Sequence, residues 1–238
     1  MLVKRDSMIF LLAVASLAAC GSSSRPASVV DAAPLLAEAP ALLAYRGSYP
    51  DISLGFKCSG TVTASGRFIL TANHCLTAGV KLVAYVGFFD RCATTSRLTP
   101  VDLGEPVAAS SESIAADVAL IPIDRPLKPA GITPTPDARL YATDTYQMTG
   151  WGWVPGTSLP CSPRRLDLAE EQGCSNDQFI CLVASQANAC VGDSGGGVSD
   201  NQGRLVAVTS YGESCTSGAP SMYGRLAPLK TWLSQATG

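Results

Sequence analysis

Imidazole is the side chain best suited to exchange a proton near neutral pH, and this chain has one histidine, His74. Any imidazole base must therefore act from the segment Leu70-Thr-Ala-Asn-His-Cys75. A lone histidine is more often structural than catalytic, so its setting decides. A second segment, Cys190-Val-Gly-Asp-Ser-Gly-Gly196, surrounds one serine with glycines. Glycine lets the backbone take conformations that other residues resist and lets a substrate approach closely. In such a turn the N–H groups of Gly192 and Ser194 can converge on one point. An oxyanion hole needs that convergence, because charge develops on the carbonyl oxygen of a tetrahedral intermediate. Losing one hole donor costs about 3–4 kcal/mol in barrier height. A serine nucleophile, a histidine base and paired N–H donors together describe acyl transfer.

Short apolar runs separated by Gly, Pro, Ser, Thr and Asp must position these groups. Examples are Arg67-Phe-Ile-Leu70, Val80-Lys-Leu-Val-Ala-Tyr-Val86, Val118-Ala-Leu-Ile-Pro-Ile123 and Arg204-Leu-Val-Ala-Val-Thr209. Many short strands with frequent turns predict a sandwich or barrel. Leu226, Leu229, Trp232 and Leu233 recur at helical spacing, which predicts one terminal helix. Neither an internal repeat nor a second domain shows in the composition.

The 238 residues carry a net charge of -2, with 15% charged, so no basic surplus suggests nucleic acid and no acidic block suggests a solvating tail. Lys4 and Arg5 precede an apolar run from Met8 to Leu17, then Leu17-Ala18-Ala19-Cys20. A basic start, a short apolar stretch and small residues describe a secretory signal. The run is shorter than the roughly 20 residues a spanning helix needs. Leu-Ala-Ala-Cys followed by Gly resembles a bacterial lipobox, with Cys20 lipidated; the alternative is an ordinary signal with a chance cysteine. Nine cysteines less Cys20 leave eight, and an even set in an exported chain reads as a disulfide framework. Metal binding is the rival, but paired Cys-x-x-Cys motifs and clustered histidines are lacking, and the Phe88–Thr94 loop has few carboxylates for calcium. No metal and no cofactor are expected. The chain divides into a signal over 1–19, a Ser, Pro and Ala rich tether or propeptide over 20–44, and a folded domain over 45–238.

Thr71-Ala-Asn-His-Cys75, Asp117-Val-Ala-Leu-Ile-Pro-Ile123 and Gly192-Asp-Ser-Gly-Gly196 resemble the histidine, aspartate and serine motifs of the trypsin/chymotrypsin family, in that family's order. Gly150-Trp-Gly152, Thr209-Ser-Tyr-Gly212 and the closing helix add to the likeness, which runs from about Tyr45 to Gly238. The resemblance implies an all-β fold of two antiparallel six-stranded β-barrels with a C-terminal helix and the site between them. It implies His74 as base, Asp117 as the carboxylate that orients it, and Ser194 as nucleophile. Gly192 and Ser194 would form the oxyanion hole, and Ser210 the serine that hydrogen-bonds the aspartate. Asn188, Ser210, Tyr211, Gly212 and Ser221 would line the substrate pocket. The implied disulfides are Cys58–Cys75, Cys190–Cys215 and Cys174–Cys181, leaving Cys92 with Cys161 in two loops that neighbour each other in the family. The expected activity is a serine endopeptidase, monomeric, acting on peptides or proteins. It would lie outside the cytoplasm, either at a bacterial envelope through Cys20 or secreted.

Two departures qualify the likeness. Asn188 occupies the pocket floor, where trypsin-like relatives carry an aspartate, so a strong Arg/Lys preference is not expected. No Ile-Val-Gly-Gly-type segment lies between Cys20 and Cys58 to supply an ammonium for Asp193. Val29-Val30 and Leu35-Leu36 are weak imitations. Either processing is unusual or an internal cation such as an arginine holds Asp193. The alternative functions are a catalytically silent binding module of the same fold and an esterase of another fold. The latter would place Ser before His, the reverse of the order here.

Overall fold

The computed structural model describes residues 39–46, 55–94, 99–109, 117–127, 145–154, 156, 159–184, 188–212, 215–216 and 218–237. The signal, Cys20 and most of the expected tether lie outside these residues. The first sheet holds β1 (Pro40–Tyr45), β2 (Phe56–Val62), β3 (Phe68–Thr71), β4 (Leu82–Val86), β5 (Val101–Asp102), β6 (Val107–Ala108) and β7 (Ala119–Pro122), in the order β5-β4-β1-β2-β3-β7-β6. The second holds β8 (Thr145–Gly150), β9 (Arg164–Glu170), β10 (Phe179–Val183), β11 (Gly197–Asp200), β12 (Leu205–Gly212) and β13 (Ser221–Arg225), closed into a six-stranded barrel. All pairings are antiparallel.

Where two six-stranded barrels were expected, the first sheet has seven strands and, among the described residues, stays open, a half-barrel beside the closed second one. Its β5 and β6 are two halves of one stretch broken at Gly104–Pro106, where Pro106 lacks the N–H a continuous ladder needs. A lone bridge between Leu103 and Ile123, with Gly104 N–H donating to the Pro122 carbonyl at 2.9 Å, brings the β5 end back to β7.

The domain boundary expected at residue 45 moves. Pro40–Ala44, assigned to the tether by composition, is a core strand, with Ala41 to Ala44 fully buried. Side chains alternate across a strand, so Ala41 and Leu43 enter one cluster with Val62, Ile69, Leu70 and Leu120. Leu42 and Ala44 enter another with Val83, Tyr85 and Trp151. A strand buried on both faces shows no polar alternation, and Pro-Ala-Leu-Leu-Ala therefore reads like linker.

The first cluster also takes Leu205 and Val208 from β12, so the two halves share a core. A 3-10 turn (Ala227–Leu229) leads into the terminal helix (Lys230–Thr237), as the spacing predicts, and Leu233 seats that helix on the same cluster. The second barrel closes on Tyr146, Met148, Ile180, Leu182, Val198 and Tyr223. All four implied disulfides are formed. Cys92–Cys161 ties a loop of the first half to one of the second, beside Arg91, whose guanidinium donates to the Leu159 and Pro160 carbonyls at 2.6 and 2.9 Å.

Candidate active site

His74 sits in a 3-10 turn (Asn73–Cys75) directly after β3, and Cys58–Cys75 anchors that turn to β2. Asp117 lies two residues before β7. Pairing of Thr71 with Ala119 brings Asp117 to the same end of the sheet as His74. The His74 N–H donates to Asp117 Oδ1 at 2.8 Å, and ring Nδ1 lies 2.6 Å from Oδ2. Ser210, from β12 of the other barrel, donates its hydroxyl to the same Oδ2 at 2.6 Å. Burial pushes the Asp117 carboxyl up, but hydrogen bonds from the His74 ring, Ser210 and the His74 N–H outweigh it and hold the group below the usual carboxylate range. An ionised Asp117 accepts from Nδ1–H, so the basic lone pair of the ring is on Nε2. His74 keeps 47% of its side chain exposed while Asp117 keeps 11%, leaving the base accessible and its orienting group enclosed.

The serine turn is laid against this strand end. Ser59 N–H donates to the Ser194 carbonyl at 2.8 Å, and Gly195 N–H to the Thr209 carbonyl at 2.8 Å. A Cβ at Gly195 would overlap the Thr71 hydroxyl and the Ser59 carbonyl and crowd the Ala72 nitrogen, so only glycine lets the turn approach the segment that carries His74.

Hydrogen bonds set the peptides around Ser194. The Val191 carbonyl accepts from Trp153 N–H at 2.9 Å, and the Asp193 carbonyl from Gly196 N–H at 2.9 Å. In a trans peptide the N–H points opposite its own carbonyl. Gly192 N–H and Ser194 N–H are thus both turned away from these internal bonds. The Gly192 carbonyl is held by the Ser59 hydroxyl at 2.8 Å, which also accepts from Trp151 N–H at 3.1 Å. This geometry can present two donors to a developing oxyanion.

Asn188, Gly212 and Ser221 come together. Gly212 pairs with Ser221 across β12 and β13, and Cys190–Cys215 ties the loop of Asn188 to the connection between those strands. Asn188 is 2% exposed; its amide nitrogen donates to the Thr216 carbonyl at 2.7 Å and to the Ala219 carbonyl. Tyr211 stands at the surface, 48% exposed. Ser210 was expected both at the pocket and at the aspartate; its hydroxyl is given to Asp117. Among the described residues, the two clusters with metal-ligand composition, Cys58/His74/Cys75 and Asp90/Cys92/Cys161, each draw two members from a disulfide.

Asp193 is fully buried and accepts from Gly152 N–H at 2.6 Å and Cys190 N–H at 2.9 Å. Arg164, on β9, places a guanidinium nitrogen 3.4 Å from Oδ2. Burial pushes the Asp193 carboxyl up, opposed by the Arg164 charge and then by the two N–H donors. Sequence reasoning asked for an internal cation without naming it, and it missed Ser59 altogether. Neither lies in a motif. Only the pairing of Gly150 with Arg164 across the β8–β9 hairpin could have pointed to the arginine.

A closed six-stranded barrel and a seven-stranded antiparallel sheet share a core, with a carboxylate–histidine pair at the sheet end and a glycine-framed serine turn laid beside it, and this is an all-β chymotrypsin-like fold. The family model described as Trypsin matches residues 41–233, and the chain belongs to the trypsin family of serine proteases. Among curated proteins it is similar to phenoloxidase-activating factor 3 of Holotrichia diomphalia, 27% identical over 79% of this chain and 69% of that protein. Trypsin iota of Drosophila melanogaster is likewise 27% identical, over 78% of this chain and 80% of its own. In fold it is similar to human heparin binding protein, with a TM-score of 0.69, 19% identity, and 82% and 89% of the two chains covered. Mouse neuropsin, a serine protease, gives a TM-score of 0.65 at 19% identity, covering 84% of this chain and 94% of its own.

Proposed function

We propose that the chain is a serine endopeptidase that cleaves peptide bonds through an acyl-enzyme intermediate. The observation that carries this reading is the grip of Asp117 on both the ring and the backbone of His74, which leaves Nε2 as the basic nitrogen beside the serine turn. Ser194 Oγ attacks the scissile carbonyl while its proton passes to Nε2, and the Gly192 and Ser194 N–H groups stabilise the oxyanion. His74 then delivers the proton to the leaving amine. Water then attacks the acyl carbonyl as it gives a proton to the same nitrogen, and that proton is returned to Ser194 Oγ as the acyl group leaves as acid.

The pocket floor supports a preference for uncharged side chains. Asn188 offers no counter-charge, and its amide donors are engaged by the Thr216 and Ala219 carbonyls. A lysine or arginine seated there would lose its hydration without an ionic partner. Ser221, 1% exposed and facing Gly212, narrows the site further. Cleavage of a peptide library tests both statements. Cuts after uncharged residues are expected; a profile dominated by Arg or Lys contradicts the specificity, and no cleavage contradicts the activity.

Four disulfides suit an oxidising, extracytoplasmic setting. We further propose that Leu17-Ala-Ala-Cys20 is a lipobox and that the monomer is tethered to a bacterial envelope through Cys20. This rests on residues 1–20 alone, since the family match begins at residue 41 and the two relatives described are insect proteins. Among the described residues no helix is long and apolar enough to cross a membrane. Cys20→Ala should move the protein from the membrane to the soluble fraction; an unchanged distribution contradicts the anchor.

A further inference from the structure

The Asp193 carboxylate lies within the serine turn itself, one residue before the nucleophile. It receives Gly152 N–H, Cys190 N–H and the Arg164 guanidinium. Donors on both carboxylate oxygens are a pattern that fits an ionised group despite its burial. An uncompensated buried charge is expensive, so the turn can hold this shape only while a cation stays beside it.

Room for the carboxylate comes from two missing side chains. A Cβ on Gly150 or on Gly152 would overlap Asp193 oxygens. Arg164 pairs with Gly150 across the hairpin, so the strand that supplies the cation runs directly beside that space. The same guanidinium nitrogen donates to the Gly152 carbonyl at 3.4 Å while Gly152 N–H donates to Asp193 Oδ1. Its separation from Oδ2, 3.4 Å, is that of an ion pair rather than of a tight hydrogen bond. The arginine is largely enclosed, with 20% of its side chain exposed, so solvent screens the attraction only in part.

We infer that Arg164 is the positioning residue of the oxyanion turn: supplied from β9, it holds Asp193 and so sets the Gly192 and Ser194 N–H groups without a new N-terminus being cut free. The inference rests on the serine peptidase reading for its catalytic consequence. Its structural consequence, order in the 189–196 turn, stands apart from turnover. An Arg164-held turn means that the chain is competent as made, and that cleavage within residues 21–38, ahead of β1, changes its release rather than its activity.

The test uses the full chain with its N-terminus uncut, verified by intact mass. Uncut wild type should react with a fluorophosphonate as fast as chain cut within 21–38, ahead of β1. Arg164→Met should lower kcat by about 10²–10³-fold, the scale of a lost hole donor, with KM changed by less than about threefold. Arg164→Lys, which keeps the charge, should restore most of that loss. In the Ser194→Ala background, which needs no turnover, Arg164→Met should speed amide hydrogen exchange across 189–196 while the cooperative melting transition persists. Unchanged exchange overturns the inference even if the enzyme is active. So does an uncut wild type that is inert until cutting activates it, with Arg164→Met then equal to wild type. If exchange rises but no form of the wild type labels, the peptidase reading fails while Arg164 keeps its role in the turn.

Discussion

Two aspartates lie at the candidate site, Asp117 beside the first sheet and Asp193 in a turn of the closed barrel, and their surroundings treat the same chemical group in opposite ways. Asp117, at the edge of the first sheet, receives His74 Nδ1–H, His74 N–H and the Ser210 hydroxyl at 2.6 to 2.8 Å. These donors overcome its burial and lower its pKa. Asp193, inside the second barrel's turn, receives two backbone N–H groups and a more distant guanidinium, and burial prevails to raise its pKa. Close side-chain donors that a substrate can perturb suit a group that tunes a base. Deep enclosure with a fixed cation suits a group that shapes the backbone. The difference separates chemistry from architecture within one site.

Changes at either aspartate can break this contrast, beginning with the largest effect. Asp117→Asn removes the charge that selects the Nδ1–H tautomer and should lower kcat by about 10⁴-fold with the fold retained, read by steady-state kinetics beside circular dichroism. A loss below about tenfold would mean that Asp117 does not orient the base.

Gly152→Ala attacks the other side. Its Cβ would overlap the Asp193 carboxylate, which is locked between backbone and strand and cannot swing away. Overpacking of this kind costs about 1–3 kcal/mol, so thermal unfolding should begin at lower temperature. An unchanged transition would show that the turn has slack.

The smallest effect is a pair of opposite acid slopes. Asp117 has a native pKa below its ordinary 3.8, so its stabilisation is complete above that pH and is lost as pH falls through the native value. Asp193 has a native pKa above 3.8, so its contribution is present below 3.8 and is lost as pH rises through its native value. In urea unfolding from pH 2 to 7, the advantage of wild type over Asp117→Asn should shrink on acidification. Relative to Asp193→Asn, wild type should instead gain. Each slope is limited to about 1.4 kcal/mol per pH unit. Slopes of the same sign would sink the contrast.

The same division governs what could be read from the amino-acid sequence. His74, Asp117 and Ser194 stand in local motifs, so their proximity was expected and the geometry brings all three elements together. The strands at Phe68–Thr71, Leu82–Val86 and Ala119–Pro122 carried clear apolar runs. Pro40–Ala44 did not, because burial on both faces removes the alternation that marks a strand. The Arg164–Asp193 pair spans 29 residues and depends on hairpin register, which no local pattern encodes. Ser59 stayed hidden for a related reason: its hydroxyl bridges Gly192 and Trp151, residues 133 and 92 positions away. Asn188 was legible as a residue type, but the capture of its amide by the Thr216 and Ala219 carbonyls was not.

The central claim is that Ser194 is a nucleophile activated by His74 under the control of Asp117. Fluorophosphonate labelling of wild type, His74→Ala and Ser194→Ala, followed by peptide mass mapping, tests it most directly. One label is expected on Ser194 in wild type, none in Ser194→Ala, and a rate lowered by at least about 10³-fold in His74→Ala. Folded wild type that takes no label, or that labels equally fast without His74, would contradict it.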